Sequence, residues 1–118
     1  EEFCMVCKLA CENGMKLQVM SATSQRWGCL ITAIDKSEDS WMSVRKQVLY
    51  LRFYREPDPL EDVVVRESLD AMKSVNSIKG YVFSSSGFTN AARRFAENRP
   101  IELVDKDRLE KILSSGSK

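Results

Sequence analysis

The spacing of apolar residues changes from helical to extended within the first half of the chain. Residues 2–13 carry apolar side chains at helical spacing, and Gly14 follows as a helix stop. Three extended apolar segments come next, separated by polar connections, at residues 17–21, 27–34 and 47–54. Three strands in sequence predict an antiparallel meander.

In the second half, Pro57 and Pro59 interrupt extended structure, and helices then alternate with strands. Asp58 is placed to cap a helix that has Pro59 in its first position, and Glu61 completes the spacing of a capping box. The pattern then predicts helices at 59–76, 88–97 and 106–113 and strands at 79–84 and 101–104. We expect Asp105 to cap the last helix.

A strand, a helix and a second strand in succession predict a crossover between parallel strands. Together with the meander, this order predicts an α/β sandwich around a five-stranded mixed sheet flanked by helices. The length of 118 residues suits one core, so we expect a single domain at 1–113 and a flexible tail at 114–118. Because the first residue is Glu1 rather than Met, we expect the chain to be a fragment of a longer protein.

Composition limits the chemistry that the chain can perform. It contains no histidine, which excludes Ser-His and Cys-His nucleophile pairs and imidazole metal ligands. Its 18 basic and 17 acidic residues give a net charge of +1, so binding to nucleic acid would require a local basic patch. No apolar run approaches the length of a membrane span, and we expect no membrane contact from this segment.

Four cysteines lie in the first quarter of the chain, at Cys4, Cys7, Cys11 and Cys29. A disulfide framework would suit a secreted protein, but a chain of this length buries a core without cross-links, so we expect reduced thiols and a cytoplasmic location. Three of the cysteines fall along one helix face, where free cysteine packs as a small hydrophobic residue. A four-thiolate zinc or iron-sulfur site is the alternative, and we expect no cofactor because one straight helix splays its thiols.

The segment from Lys79 onward resembles the Mrr-type restriction endonucleases, within the PD-(D/E)XK nuclease superfamily. A buried strand leads into Ser85-Ser86-Gly87-Phe88-Thr89, which is similar to the family's Ser/Thr-Gly-Phe-Ser/Thr turn. A helix of small residues, a short strand and a Leu-containing helix follow, as in the family. Less specific matches extend the resemblance over nearly the whole chain, at Gly14, Gly28 and 47–54. The resemblance implies a restriction-endonuclease-like fold.

The resemblance also implies where a metal site would lie. Members that cleave DNA use an acidic residue on the second strand, a Glu/Gln-x-Lys on the third strand and often a Glu on the first helix. The carboxylates hold Mg²⁺, and the metal and the Lys activate water. The match places Leu30, Tyr50 and Arg52 at the strand positions, and Phe3 at the helix position with Glu2 beside it.

Those substitutions predict a degenerate site without catalytic residues. Leu30 cannot bind a metal, Tyr50 is a poor Mg²⁺ ligand at neutral pH, and Arg52 cannot act as a base. Asp35 and Glu56, near the far ends of the second and third strands, are expected to lie too far apart to share one ion.

A second set of residues is compatible with binding nucleic acid or a phosphate group. A helix start preceded by serines favours an anion, and nearby arginines would complete a groove, which makes the candidates Arg52, Arg55, Ser85, Ser86, Thr89 and Arg93. Ordinary helix capping by Ser86 or Thr89 is the simpler interpretation.

Aromatic residues offer a further contact surface. They would stack on bases or pack in the core, and they are Trp27, Trp41, Tyr50, Phe53 and Tyr54. Trp41 lies in a polar loop, which makes it the best candidate for an exposed partner contact.

Three hypotheses for function follow. The first is a catalytically inactive endonuclease-like domain that keeps a nucleic-acid or phosphate-ligand binding role inside a larger protein. The second is a protein-interaction or structural module, and the third is an active Mg²⁺-dependent DNA endonuclease. The sequence does not indicate whether the domain pairs with itself.

Overall fold

The five strands form one sheet in the order in which they occur along the chain. The computed structural model describes residues 2–35 and 48–116. The first three strands pair antiparallel and the last two join in parallel: β1 (Leu17–Gln25), β2 (Gly28–Asp35), β3 (Val48–Tyr54), β4 (Lys79–Ser84) and β5 (Ile101–Val104). The predicted five-stranded mixed sheet is confirmed.

Helices cover both faces of this sheet. They are α1 (Glu2–Leu9), which continues as a π-helical segment (Ala10–Gly14), α2 (Asp62–Ser74), α3 (Asn90–Ala96) and α4 (Lys106–Gly116). We call the side that packs against α1, the π-helical segment and α4 the α1 face, and the side that packs against α2 and α3 the α2 face. The predicted α/β sandwich is therefore confirmed.

The alternation of side chains along β3 divides the core between the two faces. Leu49, Leu51 and Phe53 are buried on the α1 face, whereas Tyr50 and Tyr54 are buried on the α2 face. Successive residues of a strand point to opposite sides, so one strand supplies both cores. Each side chain of β3 is therefore assigned to one face by its position alone.

The start of α2 differs from the prediction. Its N-cap residue is Glu61 rather than Asp58, and the helix begins at Asp62. Leu60 instead forms a parallel bridge with Phe88, in the loop between β4 and α3. Its N–H donates to the Gly87 carbonyl and its carbonyl accepts from the Thr89 N–H, both at 3.0 Å. This long-range pairing removes Pro59 and Leu60 from the helix.

The first and last helices also differ from their predicted form. The first helix changes to π geometry at Ala10, and the Met15 N–H donates to the Ala10 carbonyl at 3.0 Å. The last helix runs to Gly116, three residues past the predicted boundary at 113. The Asp105 carboxylate accepts from the Arg108 N–H at 3.2 Å, as expected of its cap. The flexibility of the tail and the single-domain boundary stay predictions.

The prediction of four reduced thiols is wrong for two of them. Cys4 on α1 is disulfide-bonded to Cys29 on β2, while Cys7 and Cys11 are free and buried. Packing of α1 on β2 brings the two Cα atoms to 5.2 Å, within the range that a disulfide needs. The four-thiolate alternative is not formed, since two of its sulfurs are bonded to each other. None of the helices in the described ranges combines the length and hydropathy of a membrane span.

Candidate functional site

The predicted metal positions on β2 and β3 come together on the α2 face. Leu30 pairs with Arg52 across the antiparallel ladder, and Tyr50 lies two residues before Arg52 on the same face. The geometry therefore assembles the three strand positions that the resemblance identified. None of these three side chains, however, is a carboxylate.

Arg52 is the centre of a group of side chains, which we call the Arg52 cluster: Arg52, Tyr50, Tyr54 and Trp27. Arg52 Nε donates to the Tyr50 hydroxyl at 3.0 Å, and Nη1 donates to the Tyr54 hydroxyl at 2.9 Å. Its guanidinium carbon lies 5.1 Å from the centre of the Trp27 ring, which stacks on Tyr54 with centroids 4.4 Å apart. Two buried hydroxyls and an aromatic face thus fix the cation in place.

The Arg52 cluster is held in a single protonation state. Burial opposes the charge of Arg52, but the hydrogen bonds to Tyr54 and Tyr50 outweigh it and raise the pKa of Arg52 above its ordinary value. Burial raises the pKa of Tyr54, with Arg52 acting in the opposite direction. At neutral pH the cluster therefore carries one positive charge and offers no anionic metal ligand.

The first-helix position lies on the other side of the sheet. Phe3 packs on the α1 face, where the Arg55 guanidinium carbon lies 4.9 Å from its ring centre. A metal shared with the first helix would need strand ligands on the α1 face as well, which a one-residue shift of register would supply. The α1-facing residues at that place are buried and carry no carboxylate: Cys29, Ile31, Leu51 and Phe53.

The two nearest carboxylates along these strands cannot meet. Gly28 pairs with Tyr54 at one end of the β2–β3 ladder, and Ile34 pairs with Val48 at the other. Asp35 lies beyond the second end and Glu56 beyond the first, so their backbones are more than about 20 Å apart. Within the described ranges, no three Cys, Asp or Glu side chains are grouped closely enough to hold a metal ion.

Three of the six predicted binding residues come together at a cavity of about 540 Å³ between α1, α4 and the carboxyl ends of β3 and β4. We call it the α1-side cavity; its lining includes Phe3, Phe53, Phe83, Arg55, Ser85 and Ser86. Arg52 is not among them, because its side chain is bonded to Tyr50 on the α2 face, whereas Arg55, directly after β3, lies over Phe3 on the α1 face.

The serines between β4 and α3 form hydrogen bonds within the protein. The Ser86 N–H donates to Ser84 Oγ at 3.2 Å, and Ser86 Oγ donates to the Glu56 carbonyl. Thr89 is the N-cap of α3, and its Oγ1 accepts from the Ala92 N–H at 3.2 Å. Capping by Thr89, the simpler of the two interpretations, is what the structure contains, and Ser86 instead ties the loop to the end of β3.

Arg93 belongs to a different surface. It lines a shallow depression beside β5 with Lys79, Arg99 and Glu102. Glu102 pairs with Lys79 at 3.1 Å and with Arg108. Burial alone would raise the pKa of Glu102, but these two cations lower it below its ordinary value. The arginines predicted to form one groove therefore lie in three separate places.

The aromatic residues are mostly part of the core. Tyr50 and Phe53 are 4% and 2% exposed, so packing rather than base stacking explains them, whereas Trp27 is half-buried beside Arg52. Trp41 lies outside the described residues. An acidic recess next to Trp27, which the sequence patterns did not predict, is lined by Glu56, Asp58, Glu61 and Glu67. The closely spaced acids at 56–61 were the available signal.

Comparison with known proteins agrees with the fold and the motif. The Mrr-type restriction endonuclease family (Mrr_cat) matches residues 42–113, which is more than half of the chain. The chain therefore belongs to this restriction endonuclease family. A search of curated proteins finds no match.

A solved structure shares the architecture. The DNA modification-dependent restriction endonuclease AspBHI is similar over 96% of this chain, with a TM-score of 0.68 and 13% sequence identity. The similarity covers 30% of the AspBHI chain, so this chain spans less than a third of that protein. At this identity the likeness shows the fold.

Proposed function

We propose that this chain is a catalytically inactive endonuclease domain that contributes a nucleic-acid contact to a larger protein. The observation that carries the proposal is the absence of any carboxylate from the middle of β2 and β3. Neither the α2-facing set around Arg52 nor the α1-facing set around Phe53 offers an oxygen anion. The conclusion therefore holds in either register of the family motif.

The Arg52 cluster offers no metal ligand, and its positive charge also disfavours binding of a metal ion. Mg²⁺ is held by carboxylate oxygens and water in near-octahedral geometry. Arg52 places a fixed positive charge at the strand position where a ligand-bearing site would lie, and its two tyrosine partners keep it there. A divalent cation at this place would be repelled.

The Cys4–Cys29 disulfide supports the same proposal from the other face. It joins the first helix to the second strand, which are two of the elements that supply acidic residues in members that cleave DNA. Cys29 is fully buried, and the buried thiols Cys7 and Cys11 belong to the same apolar core. A covalent link and apolar packing thus occupy the side of the sheet that faces the first helix.

Arg55, Ser85 and Ser86 support the nucleic-acid contact. They are the predicted binding residues that share one opening, and Arg55 and Ser85 are exposed there. Arg52 and Thr89 are instead engaged in hydrogen bonds within the fold, to Tyr54 and to the Ala92 N–H. Arg93 adds positive charge to a separate patch beside β5. Exposed arginines bind phosphates without reading sequence, so we expect weak and salt-dependent binding.

A band-shift titration tests this contact. At low salt, single-stranded and duplex DNA should shift with a dissociation constant between about 1 and 100 µM, and affinity should fall as salt is added. Arg55→Ala should weaken binding several-fold, whereas Lys73→Ala, which removes one exposed charge from α2, should not. If neither DNA shifts at about 100 µM protein, the nucleic-acid contact is refuted.

The acidic recess beside Trp27 favours the second hypothesis, a protein-interaction module. Four carboxylates surround a surface that includes Val63, which is 51% exposed. Such a surface repels phosphates and suits a basic protein segment. Purification of the full-length protein with its partners distinguishes the two: recovery of nucleic acid alone would count against the interaction module.

A further inference from the structure

The α1-side cavity has an apolar interior. Phe53 and Phe83 stack in its wall with ring centroids 4.1 Å apart, but they are only 2% and 1% exposed, so other side chains supply most of the accessible apolar surface. Phe3, Val6 and Leu109 complete the apolar lining. The cavity opens to solvent, as do smaller recesses elsewhere on the domain. Its volume falls within the roughly 300–1,000 Å³ range of small-molecule sites.

The polar lining of the cavity includes one cation and one carboxylate, Arg55 and its chain neighbour Glu56, beside Ser85 and Ser86. The Arg55 side chain is exposed there and its guanidinium lies over the Phe3 ring. The backbone N–H of Arg55 donates to the Trp27 carbonyl at 2.8 Å. No carboxylate among the described side chains forms an ion pair with Arg55. Glu2 lines an adjoining recess with Arg55 without pairing with it. Glu56 is not ion-paired with Arg55 among the described side chains either, so the guanidinium can donate to a ligand, while the Glu56 carboxylate lowers the net positive charge around it.

We propose that the α1-side cavity binds a small organic anion with a flat apolar body, of the class of aromatic carboxylates. The apolar body lies against Phe3, Val6 and Leu109, which are the accessible apolar side chains of the lining, and the anionic group accepts hydrogen bonds from Arg55. Ser86 lies next to the end of β3 that carries Arg55, because its hydroxyl donates to the Glu56 carbonyl. The proposed nucleic-acid contact uses Arg55 at the same opening, so the anion and nucleic acid would compete there, but binding of the anion does not require that contact to exist.

The carboxylate is the feature that gives Arg55 a role. A guanidinium paired with a carboxylate forms charge-assisted hydrogen bonds, which are about twice as strong as bonds to a neutral oxygen. A neutral amide of the same shape fills the apolar part of the cavity equally well but does not form the charge-assisted hydrogen bonds to Arg55. We therefore expect the carboxylate to bind about tenfold more tightly than the amide.

Titration of the unaltered chain with naphthoate and with naphthamide, followed by amide NMR spectra, tests the proposal. Naphthoate should cause saturable shifts at Val6, Arg55 and Ser85, and naphthamide should shift the same residues at about tenfold higher concentration. Equal affinities for the two compounds would overturn the assignment of an anion site. The absence of saturable shifts with both would overturn the site itself.

Three variants locate the site. Arg55→Gln should reduce naphthoate affinity to that of naphthamide, and Arg94→Gln, an exposed arginine on α3, should leave both affinities unchanged. Val6→Trp places a large side chain at the cavity from an exposed helix position and should weaken both compounds. Equal losses in Arg55→Gln and Arg94→Gln would show non-specific attraction and contradict the proposal.

Discussion

The two faces of the β2–β3 pair are filled by different chemistry although they belong to the same strands. The α1 face is apolar and cross-linked, with Phe53 stacked on Phe83 and Cys29 bonded to Cys4. The α2 face is polar, with a half-buried Arg52 held by two tyrosine hydroxyls. The middle of the two strands therefore carries no carboxylate on either face, for a different structural reason on each.

The largest expected loss of stability comes from a substitution in the core of the α1 face. Phe53→Ala removes a side chain that is 2% exposed and packed on Phe83, and should lower the free energy of unfolding by about 3–5 kcal/mol. Urea denaturation measures this loss. If Phe53→Ala costs no more than Tyr50→Phe on the opposite face, the α1 face is not the tighter core.

Removal of the disulfide tests the cross-link on the α1 face. Cys4 and Cys29 are 25 residues apart, and a loop of this length contributes about 3 kcal/mol by constraining the unfolded chain. Cys4→Ala should lose this amount in urea denaturation, and a reducing agent should have the same effect on the unaltered chain. As the control, reductant should not lower the stability of Cys4→Ala further. An unaltered chain insensitive to reductant would refute the bond.

Alkaline pH should weaken the α1 face through its free thiols. Burial raises the pKa of both Cys7 and Cys11 from 9.0 to about 12. The unfolded chain ionises first, so this stability is present below about pH 9 and is lost as pH rises toward 12, at about 1.4 kcal/mol per thiol by pH 10. The raised pKa of Tyr54 acts in the same direction. Cys11→Ala should therefore flatten the decline without abolishing it; an unchanged slope would contradict the burial of Cys11.

The smallest effect is expected from the tyrosine hydroxyls of the α2 face. Tyr50→Phe removes one hydrogen-bond partner of Arg52, which retains its bond to Tyr54 and partial access to water, so the loss should be about 1 kcal/mol. Tyr54→Phe is the matched variant and should cost a similar amount. A double-mutant cycle with Arg52→Met measures the coupling, and additive losses would show that the hydrogen bonds contribute nothing to stability.

Local pattern predicted the second half of the fold well. β4 and β5 occupy the predicted residues, and Thr89 and Asp105 act as the expected caps. The start of α2 was predicted wrongly, because Leu60 pairs with backbone groups of residues 87 and 89, far from it in the chain. Spacing rules describe neighbours in sequence and carry no information about such contacts.

The candidate site was predictable in part. The alternation of a strand already places Arg52 and Arg55 on opposite faces, since they are three residues apart, and this signal was present in the sequence. The positions of Leu30, Tyr50 and Arg52 on one face followed from the family resemblance. The disulfide did not, because nothing in the spacing of Cys4 and Cys29 shows that α1 packs on β2.

Incubation of the chain with supercoiled plasmid DNA and Mg²⁺ or Mn²⁺ tests the central claim most directly. We expect the plasmid to stay supercoiled with either metal, because the middle of β2 and β3 carries no carboxylate on either face. Metal-dependent cleavage that is lost in Arg52→Ala would contradict it and identify the Arg52 cluster as part of a working nuclease site.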